Sequence, residues 1–186
     1  MARRVPAVER DKVADEHKAA YDEVAGVRGR APTVGPSSVL IYSPEMAVLA
    51  TRLSSFLAEK GELPQKFVRL AAMIGARSMD CPYIWNAQAP QGRKAGLSDA
   101  LCDALRDKKP IPDTPLDEVA MVSYGLELAG TCQVKQATFD AALGQLGARG
   151  LTEFTTALGH FRMLALNANA FNIDPPEQLN EPLLPI

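Results

Sequence analysis

Apolar residues recur at helical spacing along almost the whole chain, and no stretch alternates with the period of a strand. Near the start, Asp15, Glu16, Lys18 and Glu23 mark a solvated face, while Ala19, Tyr21 and Val24 can pack inward. The run GRAPTVGPSS, with Gly29, Pro32, Gly35 and Pro36, then signals a loop. It is either a plain connector or the rim of a pocket. Ser43 is an N-cap candidate ahead of Pro44 at the first helical position, and Val48, Leu49, Leu53, Phe56 and Leu57 follow at helical spacing. Gly61 ends that helix. Leu63-Pro64 opens the next, whose apolar positions are Phe67, Leu70, Ala71, Met73 and Ile74.

Another helix is expected after Asp80, with Pro82 in its first turn and Trp85 behind it. Pro90 falls inside it and removes the hydrogen bond to the Asn86 carbonyl, which predicts a kink. Gly96 is a stop, and Ser98 caps a helix through Leu101 and Leu105. DKKPIPDTPLDE reads as a proline-rich turn, with Thr114 capping and Pro115 at the first helical position. Helices over roughly 115–130, 135–146 and 150–171 are expected beyond it. Leu151, Phe154, Leu158, Phe161 and Met163 to Leu166 predict a largely buried last helix. The pattern gives an all-α chain organised as one domain over 1–186, with extended tails at 1–9 and 174–186; the second tail is placed on a neighbouring surface.

Composition changes this picture little. The 186 residues suffice for one substantial core. A net charge of −2 with dispersed basic residues excludes a nucleic-acid footprint, and Arg3-Arg4 is too short for a polybasic arm. No run reaches the roughly 20 apolar residues of a membrane span. The N-terminal segment has charge without an apolar region behind it, which argues against a secretory signal. Cys81, Cys102 and Cys132 form no disulfide framework. A cytoplasmic protein with reduced thiols is expected.

Candidate chemistry concentrates in Arg69 to Gly96. Cys81 sits at a helix start, where the dipole and free N–H groups favour a thiolate. Cys81, Ile84 and Gln88 are spaced i, i+3 and i+7, so they share one helix face. No glycine-rich phosphate loop, metal-spaced His/Cys cluster or dinucleotide fingerprint is present, so no metal or organic cofactor is expected.

Tyr83-x-Trp85, followed by Pro90 and Arg93-Lys94-Ala95-Gly96-Leu97-Ser98, resembles the signature helix and turn of the carboxymuconolactone decarboxylase and alkylhydroperoxidase-D-like family. Ala76-Arg77, Ser43-Pro44-Glu45, Leu164-Ala165-Leu166 and Asn169-Ala170-Phe171 match other recurring positions, so the resemblance spans about residues 10 to 172. It implies that family's helical bundle, assembly into trimers or hexamers, and cofactor-independent chemistry on a small acidic or lactone-like metabolite.

The departures from the family pattern fall on its reactive groups. The peroxidase branch carries Cys-x-x-Cys, a His four residues later and a Glu on the preceding helix; here those positions hold Cys81, Ile84, Gln88 and Arg69. The decarboxylase branch reads Tyr-Glu-Trp-x-x-His, against Tyr83-Ile84-Trp85-Asn86-Ala87-Gln88 here. A dithiol cycle lacks its resolving thiol, and Gln88 cannot take and return a proton. The replacements instead suggest an oxyanion-binding pair. Arg69 would grip a carboxylate, and Gln88 and Tyr83 would hydrogen-bond a carbonyl or enolate oxygen. Cys81 is either a nucleophile or a buried, inert thiol. Trp85 either stacks on a ligand or packs in the core. His160 lies among Leu158, Phe161 and Leu164, as a catalytic group or a satisfied core histidine, while His17 is expected to be solvated.

Three functions follow: a decarboxylase-family enzyme acting through an enolate, a non-catalytic relative that binds an anionic metabolite, or a residual thiol peroxidase using Cys81.

Overall fold

A computed structural model describes residues 2–175 and 178–186. Two short 3₁₀ turns, Arg10–Lys12 and Asp15–His17, lead into α1 (Lys18–Arg28). Then come α2 (Ser37–Leu40), α3 (Pro44–Ser55), α4 (Gln65–Ser78), α5 (Pro82–Lys94), α6 (Asp99–Asp107), α7 (Leu116–Thr131) and α8 (Gln136–Ala170). The described residues contain no strand, which gives the all-α class that the periodicity predicts.

The centre of the bundle is α4, which packs against α5, α7 and α8. Its residues Phe67 to Arg77 are buried except Arg69, which is half-buried. Close approach of α4 to α8 requires Gly75, where a Cβ would come within 3.3 Å of the Leu158 carbonyl and 3.4 Å of the Arg162 nitrogen. A second, smaller cluster of Tyr21, Val24, Leu40, Ile41, Ala47 and Val48 holds α1, α2 and α3 together. The space between this layer and α4–α5 becomes the site described below.

Several local expectations meet corrections. Ser98 caps α6 by accepting the Leu101 N–H at 3.2 Å. Ser43 stands at the N-cap of α3 but makes no such bond. Thr114 does not cap α7, because Pro115 is the N-cap and the Thr114 hydroxyl donates to the Glu118 carboxylate instead. Pro90 lies inside α5, as expected, where its ring leaves the Asn86 carbonyl without its i+4 N–H partner. The sharp break lies at Gly147 (φ 64°, ψ 176°), which divides α8 into the two expected helices. The Gly/Pro loop is shorter than expected, because its Ser37-Ser38 end winds into α2 and is buried. Ala19, Leu49, Phe56, Met163 and Leu166, read as inward, are exposed.

Beyond α3 the chain makes one π-type turn, Phe56–Lys60, closed by the Gly61 N–H on the Phe56 carbonyl at 2.8 Å. The described part of the C-terminal tail is irregular and packs on its own chain. Leu184 enters the core and Glu181 is buried. Asn86 donates to the Glu181 carbonyl at 3.3 Å, and Arg93 clamps the Glu181 carboxylate at 2.9 and 3.2 Å.

Candidate functional site

A cavity of about 300 Å³ lies between the α1–α3 layer and the α4–α5 pair. Its polar lining is Arg28, Arg30, Ser37, Thr51, Ser54, Arg69, Tyr83 and Gln88. Val24, Leu40, Ile84, Phe161 and Leu164 supply an apolar floor. Three arginines thus line one small space, the exposed Arg28 and Arg30 and the half-buried Arg69, and no Asp or Glu is among the described lining residues.

The position of Arg69 follows from the glutamines on either side of it. Gln65 sits in the first turn of α4, where its amide NH₂ donates to the Leu57 and Ala58 carbonyls of the π turn at 3.2 and 2.9 Å. That leaves the Gln65 carbonyl oxygen to accept from Arg69 NH2 at 3.4 Å. Arg69 NH1 donates to Gln88 Oε1 at 3.0 Å. An arginine can only donate, so the Gln88 atom facing it must be the oxygen, and the Gln88 NH₂ is directed elsewhere as a donor. Both partners are neutral, so they orient the guanidinium without cancelling its charge. Burial alone pulls the Arg69 pKa down.

At the other end, Arg28 and Arg30 flank Gly29, which ends α1 in the left-handed conformation (φ 67°). Desolvation and then repulsion from Arg30 lower the Arg28 pKa. The Tyr83 hydroxyl is pushed up by burial, against the pull of Arg30 and Arg28, and therefore stays protonated at neutral pH. Tyr83 presses on Gly35 (φ 64°), where a Cβ would fall 2.6 Å from Cζ and 2.8 Å from Cε1 of the ring. Only glycine fits there, on both conformational and steric grounds. The loop is therefore a pocket rim as well as a connector. Tyr83 and Arg30 also line a second cavity outside, beside Arg3, Thr33 and Asn180.

Arg69, Tyr83 and Gln88, with Ile84, meet in the one cavity; the other candidates do not line it. Cys81 is wholly buried, and desolvation raises its thiol pKa, outweighing the N–H groups of Ile84 and Tyr83 at the helix start. Cys102 is buried with its thiol pushed up to about 11, and Cys132 is exposed. Trp85 is 1% exposed and belongs to the core. His160 lies one residue behind the wall, its Nε2 2.8 Å from the Ser54 oxygen. Ser54 donates to the Ala50 carbonyl at 3.0 Å, so His160 Nε2 carries the proton and donates to Ser54. Its Nδ1 is buried without a partner, and burial lowers the pKa, so the ring is neutral. His17 is solvent-facing, 2.6 Å from Glu45.

Sequence reasoning missed Arg28, Arg30 and Ser54. The Arg28-Gly29-Arg30 triplet was visible, but basic residues at a helix end serve its dipole as often as a ligand.

No protein-family model and no curated protein matches the chain. Its fold is that of the AhpD-like proteins. The AhpD-core, uncharacterized peroxidase-related protein of Ralstonia eutropha JMP134 superposes with a TM-score of 0.74 at 16% identity, covering 94% of this chain and 93% of that one. A peroxidase-related protein of Silicibacter sp. TM1040 gives 0.70 at 15% identity, over 94% and 92% of the two chains. A variant of the debrominase Bmp8 in complex with 2,3,4-tribromopyrrole gives 0.71 at 13% identity, over 95% and 94%. At these identities the likeness is one of fold. Among the described residues no helix is long and apolar enough to cross a membrane, and no group of acidic, His and Cys side chains is arranged to hold a metal.

Proposed function

We propose that the cavity takes a small carboxylate-bearing metabolite and that the chain decarboxylates it, or performs related lactone or enolate chemistry, without a cofactor. The observation that carries this reading is the set of three guanidinium groups, Tyr83 and Gln88 around a cavity whose described lining has no carboxylate. The charge has two poles. Arg28 and Arg30 stand together beside Tyr83 at one end, whereas Arg69 is held between Gln65 and Gln88 at the other. A dianion could therefore be anchored at one pole and react at the other.

An arginine held directly on the leaving carboxylate would stabilise the ground state and slow its loss. The reacting carboxylate therefore belongs over the apolar floor of Ile84, Phe161 and Leu164, with the oxygen of the carbonyl β to it toward Gln88 and Arg69. The pair of the breaking C–C bond becomes the enolate C=C bond as the carbonyl π pair moves onto that oxygen, carbon dioxide leaves, and the enolate is met by the Gln88 NH₂ and the Arg69 charge. The protonated Tyr83 hydroxyl returns a proton to carbon and is reprotonated by water.

A second reading, binding without turnover, is favoured by one observation: no lining side chain titrates near neutral pH in the manner of the usual acid–base pair. Residual thiol peroxidase chemistry draws no support from a Cys81 that is buried with a raised pKa. Carbon dioxide release from a panel of carboxylactones and β-keto acids tests the proposal. Release that disappears in Arg69→Ala supports it, and tight binding with no release selects the second reading. Self-association remains part of the proposal, supported by the exposed Met46 and Leu49 on α3 with Tyr42 and Phe56 at its two ends, and light scattering measures it.

A further inference from the structure

A separate cavity, of about 330 Å³, opens where α4 meets α6 and α7, and it shares no lining residue with the site between the α1–α3 layer and α4–α5. Its walls are apolar: Ile74, Ala104, Leu105, Ile111, Leu126 and Ala129. Three cations, Arg77, Lys108 and Lys109, line it without a lining carboxylate among the described residues.

Arg77 is the unusual member. It is 7% exposed, and neither its Nε nor its NH1 donates a hydrogen bond. NH1 lies 3.0 Å from Asp80 Oδ1, a contact of ion-pair distance without hydrogen-bond alignment. That same oxygen is 3.4 Å from Lys108 Nζ, so one carboxylate serves two cations. Asp80 and Lys108 both adopt left-handed backbone (φ 44° and 54°), a conformation that side-chain-bearing residues avoid unless their surroundings impose it. A buried guanidinium that shares its carboxylate with a second cation is left incompletely neutralised. Here it lines an open apolar slot.

We infer that this cavity is a binding site for a small amphipathic carboxylate, with the carboxylate on Arg77 and Lys108 and the apolar body against Ile74, Leu105, Ile111 and Leu126. The ligand supplies a second anion beside the Asp80 carboxylate that Arg77 and Lys108 share, and it covers the apolar walls. It stands independently of the function assigned to the first cavity.

Octanoate and its neutral counterpart octanol are the probes, titrated calorimetrically into the full chain. Octanoate is expected to bind about tenfold or more tighter than octanol, as a charge-assisted pair predicts. Arg77→Met is expected to remove that preference. Because Arg77 is buried, that variant could fold poorly, so Gly130→Leu gives an independent arm. A Cβ at Gly130 meets nothing within 4 Å and the position is helical, so leucine extends the cavity lining without backbone cost. It should weaken octanoate about tenfold with the melting temperature unchanged or higher, while Arg69→Ala should leave octanoate binding intact. Absence of octanoate binding to the native chain overturns the inference, as does binding that survives Gly130→Leu or is lost in Arg69→Ala. A change of oligomeric state in Gly130→Leu would also overturn it, assigning the slot to a second copy of the chain.

Discussion

The contact of Gly35 with Tyr83 makes the shape of the first cavity measurable through stability. Replacing Gly35 by alanine incurs two separable costs. Left-handed backbone with a Cβ costs about 1–2 kcal/mol. The new methyl group would also fall 2.6 and 2.8 Å from ring carbons of Tyr83, so the ring must shift, which costs a further ~1–3 kcal/mol as overpacking. Gly35→Ala should therefore lower stability by about 2–5 kcal/mol in the native background. In a Tyr83→Ala background only the conformational part remains, about 1–2 kcal/mol. The double-mutant cycle should then return a coupling of ~1–3 kcal/mol. Guanidinium denaturation of the four proteins, with constant m-values, provides the numbers. Equal destabilisation by Gly35→Ala in both backgrounds would refute the claim that Tyr83 is held by that glycine, and with it the reading of the loop as the cavity rim.

Three further outcomes follow from the same structure. His160 has a pKa lowered from 6.5 by burial, so the unfolded state binds more protons as pH falls through that value. Its contribution is complete above about pH 6.5 and is lost progressively below it, a pH dependence that should vanish in His160→Gln; an unchanged pH dependence in denaturation curves contradicts this. With Cys81 and Cys102 buried and Cys132 exposed, one thiol should react promptly with a disulfide reagent and two only on unfolding; prompt reaction of a second refutes the burial. Arg93→Met would strand the buried Glu181 carboxylate, costing about 3 kcal/mol and loosening residues 178–186. Limited proteolysis should cut the tail of that variant first, and an unaltered cleavage pattern would contradict the clamp.

The order of helices was legible because apolar spacing, Gly61, Gly96 and Ser98 punctuate the chain by local rules. Errors came where a neighbour outweighs a local rule. Thr114 loses its cap to Pro115. Leu49, Phe56 and Leu166 keep helical spacing yet face outward, because periodicity gives a face without saying what covers it. Within the cavity, Arg69, Tyr83 and Gln88 were legible as candidates through the family resemblance, whose signature positions they occupy. Arg28 ends α1 and Arg30 opens the loop after it, more than fifty residues before Tyr83, which only tertiary packing brings opposite them. The fate of Cys81 was likewise a matter of burial, which cancels the advantage of its helix start.

Titration calorimetry of a small dicarboxylate such as glutarate, against the native chain and Arg69→Ala, tests the central claim most directly. The account predicts binding to the native chain that weakens with added salt and falls tenfold or more in the variant, with glutaramide, the uncharged isostere, bound weakly by both. Equal affinity of the two proteins for glutarate, or equal affinity of the native chain for the acid and the amide, would contradict it.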